Sequence, residues 1–148
     1  MIKEFKQADL IFTYTRAQAI EDGVLIDVSD TAAEEGVLYP VAVTARVWAE
    51  LIVPALVLRE RFCQSEKGRL LDVFGMLRSA VIGRIKPVKR YRDGLNDVIH
   101  FQVPVQMLVQ RQKVVKKKRE VQLITLKAVC GPGDYMEPVI TIMMPDED

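Results

Sequence analysis

The clearest pattern of apolar and polar residues lies in the second half of the chain, where apolar residues occupy every other position. From Ile99 to Val109 the odd-numbered positions are all apolar, whereas the even-numbered ones are mostly polar. This period of two predicts a β-strand with one buried face. Because Pro104 cannot donate a hydrogen bond to a neighbouring strand, we predict that this strand is at a sheet edge or bulged there.

Two more strands are predicted after it, at residues 120–129 and 138–144. The last one is apolar on both sides, which is typical of a central strand. Residues 86–94 are predicted to form a loop, because they combine a proline, several charges and an Asp-Gly pair. Since consecutive strands joined by short loops usually pair with each other, the three strands predict an antiparallel meander.

The first half of the chain carries helix signals instead. A capping box at residues 15–18 predicts a short helix that stops at Gly23, where glycine readily adopts a left-handed conformation. Residues 24–28 then form a short extended run. A second capping box at residues 31–34, followed by Gly36, predicts another short helix.

Two further helices are predicted before the strands. Thr44 is a suitable N-cap for the first, and Pro54 should end or kink it, because an interior proline lacks the required N–H group. Ser65 begins the second, which Gly83 ends. One face of this helix is predicted to be buried, with Arg69 directed away from it. The residues of that face are Leu70, Phe74, Leu77 and Val81.

These elements predict an α+β fold with short N-terminal helices packed on a C-terminal antiparallel sheet of about three or more strands. A length of 148 residues suits one globular domain over residues 1–148. With 49% hydrophobic and 28% charged residues, the composition excludes a disordered or fibrous protein. The sequence shows neither a signal peptide nor a membrane-spanning run, so a cytoplasmic location without membrane contact is expected.

The net charge of +1 conceals an uneven distribution along the chain. Residues 84–119 carry a net charge of +9, whereas residues 1–60 and 120–148 carry −5 each. Such a segment is a candidate surface for nucleic acid or another polyanion. Its basic residues are Arg84, Lys86, Lys89, Arg90, Arg92, Arg111, Lys113, Lys116, Lys117, Lys118 and Arg119. Because the predicted strand of about 11 residues spans roughly 35 Å, the two clusters should lie at its opposite ends.

Two long motifs resemble a known family. Residues 15–29 read TRAQAIEDGVLIDVS, and residues 126–143 contain LKAVCGPGD and EPVITIM. They are similar to an uncharacterised family of small bacterial proteins that are often encoded on plasmids or in phage-related regions. The resemblance implies a bacterial, cytoplasmic accessory protein, and it transfers no catalytic residue.

Few residues indicate catalysis. The only histidine, His100, falls on the polar face of its strand, where we expect it to be solvated. Cys130 is interpreted as a small buried thiol at a strand end, although His100 would reach it if their strands were adjacent. Three aspartates, Asp22, Asp27 and Asp30, could gather near a strand end and bind a divalent metal. The two cysteines, Cys63 and Cys130, are too few for a disulfide framework or a four-cysteine zinc site.

The expected function is therefore a non-enzymatic binding module without a cofactor or a bound metal. Its expected partner is nucleic acid or an acidic protein, reached through the basic residues. A protein–protein interaction module, including one that associates with itself, is the first alternative. A small metal-dependent enzyme that uses the three aspartates is the second.

Overall fold

Six strands form one mixed sheet in the computed structural model, which describes residues 14–109 and 118–148. The strands are β1 (Leu25–Asp27), β2 (Val41–Thr44), β3 (Lys89–Asp93), β4 (Asn96–Val109), β5 (Lys118–Pro132) and β6 (Pro138–Met143). Their order in the sheet is β1-β2-β6-β5-β4-β3. The pair β2–β6 is parallel, and the other neighbours are antiparallel.

The helices lie between the strands along the chain. They are α1 (Arg16–Glu21), α2 (Ser29–Glu34), α3 (Ala45–Val47), which continues as a π-helix over Trp48–Ile52, α4 (Leu56–Arg61) and α5 (Glu66–Val81). Within the described ranges, no helix combines the length and apolar character needed to cross a lipid bilayer.

The predicted arrangement of N-terminal helices on a C-terminal sheet is wrong. Two strands, β1 and β2, come from the first third of the chain, and β3 comes from the segment predicted to be a loop. The strand β2 has only four residues, which is too few to show a period. It joins the sheet by pairing with β6, far along the chain, and local sequence does not reveal such a contact. The meander of β4, β5 and β6 is confirmed, and β6 is central.

The core lies between α5 and one face of the sheet, which we call the helix face. The odd-numbered residues of β4 project onto it, and Phe101 is aligned with the fully buried Leu126 of β5. From α5, Phe74 is completely buried in the same apolar cluster. The alternation predicted for β4 is thus confirmed, because its apolar residues are those covered by the helix.

The N-termini of the helices show which of the predicted capping residues form capping hydrogen bonds. Thr15 and Gln18 exchange the two hydrogen bonds of a capping box, each 3.0 Å long, so that prediction is confirmed. The predicted box at 31–34 is wrong, because α2 begins at Ser29 and Thr31 lies inside it. Ser29 instead donates a 2.6 Å hydrogen bond to Asp27. The hydroxyls at the predicted N-caps Thr44 and Ser65 do accept helical N–H groups.

The buried face of α5 differs from the prediction at two positions. Val81 is 48% exposed, although the spacing predicts burial, whereas Arg69, which was predicted to point away, is only 5% exposed. The Arg69 guanidinium donates to the carbonyl of Leu51 at 2.7 Å and to the carbonyl of Gln106. It therefore joins the π-helix to strand β4, which apolar spacing does not indicate.

The predicted edge position of Pro104 is confirmed. The N–H of Val88 donates to the carbonyl of His100, so the backbone groups of even-numbered β4 residues point toward the β3 side. The β3 pairing ends at His100, and none of the described strands pairs with that side of β4 at Pro104. The missing N–H of Pro104 therefore costs no sheet hydrogen bond.

Candidate functional site

The first basic cluster lies on and before the edge strand β3. Arg84 and Lys86 are exposed in the turn after α5, and all five residues of β3 are exposed. Asp93 and Asn96 flank a two-residue turn to β4, in which Gly94 has a φ of +59°. A glycine at the first position of a two-residue turn is a signal for such a hairpin, so Gly94 could have revealed β3 from sequence.

The alternation of β3 divides the cluster between the two faces of the sheet. Lys89 is aligned with His100 and lies on the open face, opposite the helix face, as does Tyr91. Arg90 and Arg92 lie on the helix face. A 2.9 Å ion pair with Asp97 holds Arg90 and lowers the pKa of the Asp97 carboxyl below its usual value. On β3, the open face therefore carries one cation and the helix face carries two.

The second basic cluster lies mostly outside the described residues, because Arg111, Lys113, Lys116 and Lys117 fall within 110–117. The backbones of Lys118 and Arg119 belong to β5, where they pair with Val109 and Leu108. Since Lys89 pairs with His100, the nine strand positions from His100 to Val109 separate Lys89 from Lys118 by roughly 30 Å. Lys118 and Arg119, the described part of the second cluster, therefore lie at the opposite end of β4 from Lys89.

The prediction of a solvated His100 is wrong, since its side chain is only 6% exposed. Its ring centroid lies 5.9 Å from that of Tyr91, and the strand register places it between Lys89 and Lys127. Burial and the two lysines lower the pKa of His100 below its usual value. Each of these causes favours the neutral imidazole, and no described residue is a hydrogen-bond partner of its Nε2 atom.

Cys130 lies on the helix face of β5, aligned with Asp97. Burial, followed by the charge of Asp97, raises the pKa of the thiol. Although β4 and β5 are adjacent, His100 projects to the open face and cannot act as a base for Cys130. This geometry argues against a nucleophilic cysteine, because such a residue needs a lowered pKa and a base on the same side.

Two of the three aspartates proposed as metal ligands make local hydrogen bonds, and the third, Asp30, is exposed in the first turn of α2. Asp27 accepts hydrogen bonds from Ser29, and Asp22 accepts a 2.6 Å bond from the hydroxyl of Tyr14. Within 14–109 and 118–148, histidines, cysteines and carboxylates form no group of three able to hold a metal ion. The alternative of a metal-dependent enzyme built on Asp22, Asp27 and Asp30 therefore has no structural support.

The two long sequence motifs meet at the N-terminus of α1. The carboxylate of Asp134 accepts hydrogen bonds from the backbone N–H groups of Arg16 and Ala17, at 2.9 and 3.0 Å. The Arg16 guanidinium donates to the hydroxyl of Thr141 and to the carbonyl of Ile140. These contacts link positions more than 110 residues apart, so local sequence does not reveal them. The motifs form a structural junction.

Replacing Asp134 with alanine should lower the free energy of unfolding by about 1–2 kcal/mol, because α1 loses two charge-assisted hydrogen bonds at its N-terminus. Urea unfolding followed by the fluorescence of Trp48 measures the change. The matched control is Asp30→Ala, which removes an exposed carboxylate from the first turn of α2 and should cost about 0.5 kcal/mol or less. Equal losses in the two variants would contradict the assigned role of Asp134.

Comparison with protein-family models matches the whole chain, residues 1–148, to one described as a family of unknown function (DUF6573). Searches of curated proteins and of solved structures found no match.

Proposed function

Because the chain belongs to this family of unknown function, whose description assigns no activity, we propose a function from the surface of the protein itself. It is a non-enzymatic binding module that contacts nucleic acid or another polyanion through its basic middle segment. The observation that carries the proposal is the edge strand β3, which is exposed along its whole length and has basic side chains on both faces.

The basic residues around β3 differ in how much of their charge is free to contact a polyanion. Arg90 is paired with Asp97, so part of its charge is already neutralised. Lys89 lies 5.5 Å from the ring centroid of the partly exposed Tyr91 and offers a cation beside an aromatic surface. Arg92 lies on the helix face, as Arg90 does, and its charge contributes to the lowered pKa of Asp97, but it forms no ion pair within 4.0 Å among the described residues. Lys89 and Arg92 are therefore the central contacts, and Arg84 and Lys86 extend them.

The distance between the two basic clusters adds a length requirement. Lys89 of the first cluster and Lys118 of the second are separated by roughly 30 Å along the β4–β5 ribbon. A duplex of about 20 base pairs, at about 3.4 Å per step, can contact both clusters, whereas one of about 6 base pairs can contact only one. A longer duplex offers more overlapping positions for one protein molecule, and this alone raises the measured affinity. An affinity for the longer duplex that exceeds this statistical gain supports contact with both clusters.

The double variant Lys89→Glu/Arg92→Glu should bind a 20-base-pair duplex at least tenfold more weakly at low salt, because two phosphate contacts become repulsive. The slope of log K against log salt should fall by about 2. Fluorescence anisotropy across a salt series measures both quantities.

The control of equal charge change is Arg61→Glu/Lys67→Glu, which alters exposed cations on α4 and at the start of α5; because Lys67 is paired with Glu34 at 3.1 Å, circular dichroism checks that this variant is folded. The control should retain the affinity of the unmodified protein more closely. If the two double variants lose the same affinity for the duplex, net charge alone explains the loss and β3 is not the contact surface. Failure of the unmodified protein to bind any duplex at low salt would reject the proposal.

A second candidate function is a protein-interaction module. On the open face of the ribbon, Val121 is 64% exposed and Leu123 is 62% exposed, beside the exposed Pro104. Apolar groups exposed together are a feature of interaction surfaces. If the chain binds a partner protein with an affinity that does not depend on salt and that Lys89→Glu/Arg92→Glu leaves unchanged, this function is favoured over polyanion binding.

The cellular setting proposed with this function is the bacterial cytoplasm, with genes carried on plasmids or in phage-related regions. The support is the resemblance of the two motifs. A survey of the genomic neighbourhoods of family members tests the association. Fractionation of cells that express the protein tests the location.

A further inference from the structure

A cavity of about 610 Å³ opens on the helix face, between the C-terminal end of α5 and the sheet. Its floor consists of Ile99, Ala128 and Ile140, which come from three adjacent strands. Leu77 of α5 and the segment 36–39 form its walls. The volume falls within the range of about 300–1,000 Å³ that is usual for small-molecule sites.

The rim of this cavity exposes large apolar side chains to water. Leu38 is 83% exposed, Ile82 is 54% exposed and Tyr39 is 51% exposed. All three line the cavity, so an apolar molecule entering it would cover surface that the fold leaves uncovered. Because this apolar surface borders an apolar floor, a ligand of a different class from a polyanion is indicated here.

The charges in the cavity favour an anionic group on that ligand. Arg78, Arg90 and Asp97 line it, and Arg90 is paired with Asp97 at 2.9 Å. Arg78 has no ion pair or side-chain hydrogen bond with the residues at 14–109 and 118–148, which leaves one positive charge in excess. The guanidinium borders the segment 36–39, since its Cζ atom would lie 3.8 Å from a Cβ atom placed on Gly36.

We propose that the cavity binds an amphipathic acid, with an aliphatic chain over Ile99, Ala128 and Ile140 and a carboxylate on Arg78. A guanidinium can donate two parallel hydrogen bonds to a carboxylate, which fixes the orientation of the head group. The aliphatic chain of the ligand replaces water on the apolar floor of the cavity. The site does not depend on polyanion binding, because the proposed edge contacts Lys89 and Arg92 are not part of its lining.

Cys130 supplies a direct measure of occupancy, because it is half-buried and lines the cavity. In the Cys63→Ser variant it is the only thiol of the chain. The experiment measures alkylation of Cys130 by the uncharged reagent N-ethylmaleimide, followed by mass spectrometry, with decanoate as the probe. Saturating decanoate should slow the alkylation at least tenfold. Decyltrimethylammonium, with the same chain length and the opposite charge, should protect much less.

The head-group contact is tested by Arg78→Gln, an exposed position whose change leaves the core intact. This variant should bind decanoate about tenfold or more weakly by calorimetry, because a charge-assisted contact is lost. The matched control Arg61→Gln, on α4, should bind like the unmodified protein. Alkylation that decanoate leaves unchanged, equal protection by the two amphiphiles, or full affinity in Arg78→Gln would each overturn the proposal.

Discussion

Replacing Phe74 with alanine is expected to lower the free energy of unfolding by about 3–5 kcal/mol. The Phe74 ring is fully buried between α5 and the sheet, within the main apolar cluster. Truncation removes the apolar surface and leaves a cavity that the packed strands cannot close. Since a domain of this kind is typically stable by about 5–15 kcal/mol, the loss is a large part of the total. Urea unfolding followed by circular dichroism measures it.

The control for this prediction is Val81→Ala on the same helix. The spacing of apolar residues assigns Val81 to the same face as Phe74, but its side chain is 48% exposed. The free energy of unfolding should therefore change by no more than about 0.5 kcal/mol. A loss at Val81 comparable to that at Phe74 would show that the helical pattern, and not the observed packing, describes the buried face.

Replacing Arg69 with methionine should lower the free energy of unfolding by about 2 kcal/mol. The guanidinium is the donor to the Leu51 and Gln106 carbonyls, and methionine fills similar space but offers no donor. An acceptor left unsatisfied in a buried site costs about 1–3 kcal/mol. The removal of a buried cation, whose pKa burial lowers, offsets part of this cost. Chemical unfolding again gives the value.

Arg69→Lys separates the contribution of charge from that of geometry. Lysine keeps the positive charge, but it is a point donor and lacks the planar fork that serves two carbonyls at once. We expect a stability between those of the unmodified protein and Arg69→Met. If the methionine variant is as stable as the unmodified protein, the two hydrogen bonds do no more than balance the desolvation of the cation.

Short-range signals predicted much of the local structure. The capping hydroxyls of Thr15, Thr44 and Ser65 act within three residues, and the alternation along β4 reflects one covered face. The position of Pro104 follows from its own missing donor. Each of these features depends on chemistry that neighbouring residues carry.

The features that could not be predicted from the sequence depend on long-range contacts. The four residues of β2 become a strand because β6 lies beside them. His100 is buried although it follows the polar alternation, and Arg69 is buried because two carbonyls need its donors. For the candidate sites, charge located the basic segment, but only the sheet register shows how its side chains divide between two faces. The cavity was not predictable, because its floor comes from three strands.

The pairing of β2 with β6 has a consequence for how the protein is made. Val41 is aligned with Ile140, so the central position of the sheet stays empty until a segment 99 residues further along the chain has been synthesised. Until then β2 and β5 each present an unpaired edge, and Asp134 has not yet reached α1. Completion of the sheet must therefore wait for β6, and the closure of so long a loop makes this a slow step of folding, during which unpaired strand edges stay exposed.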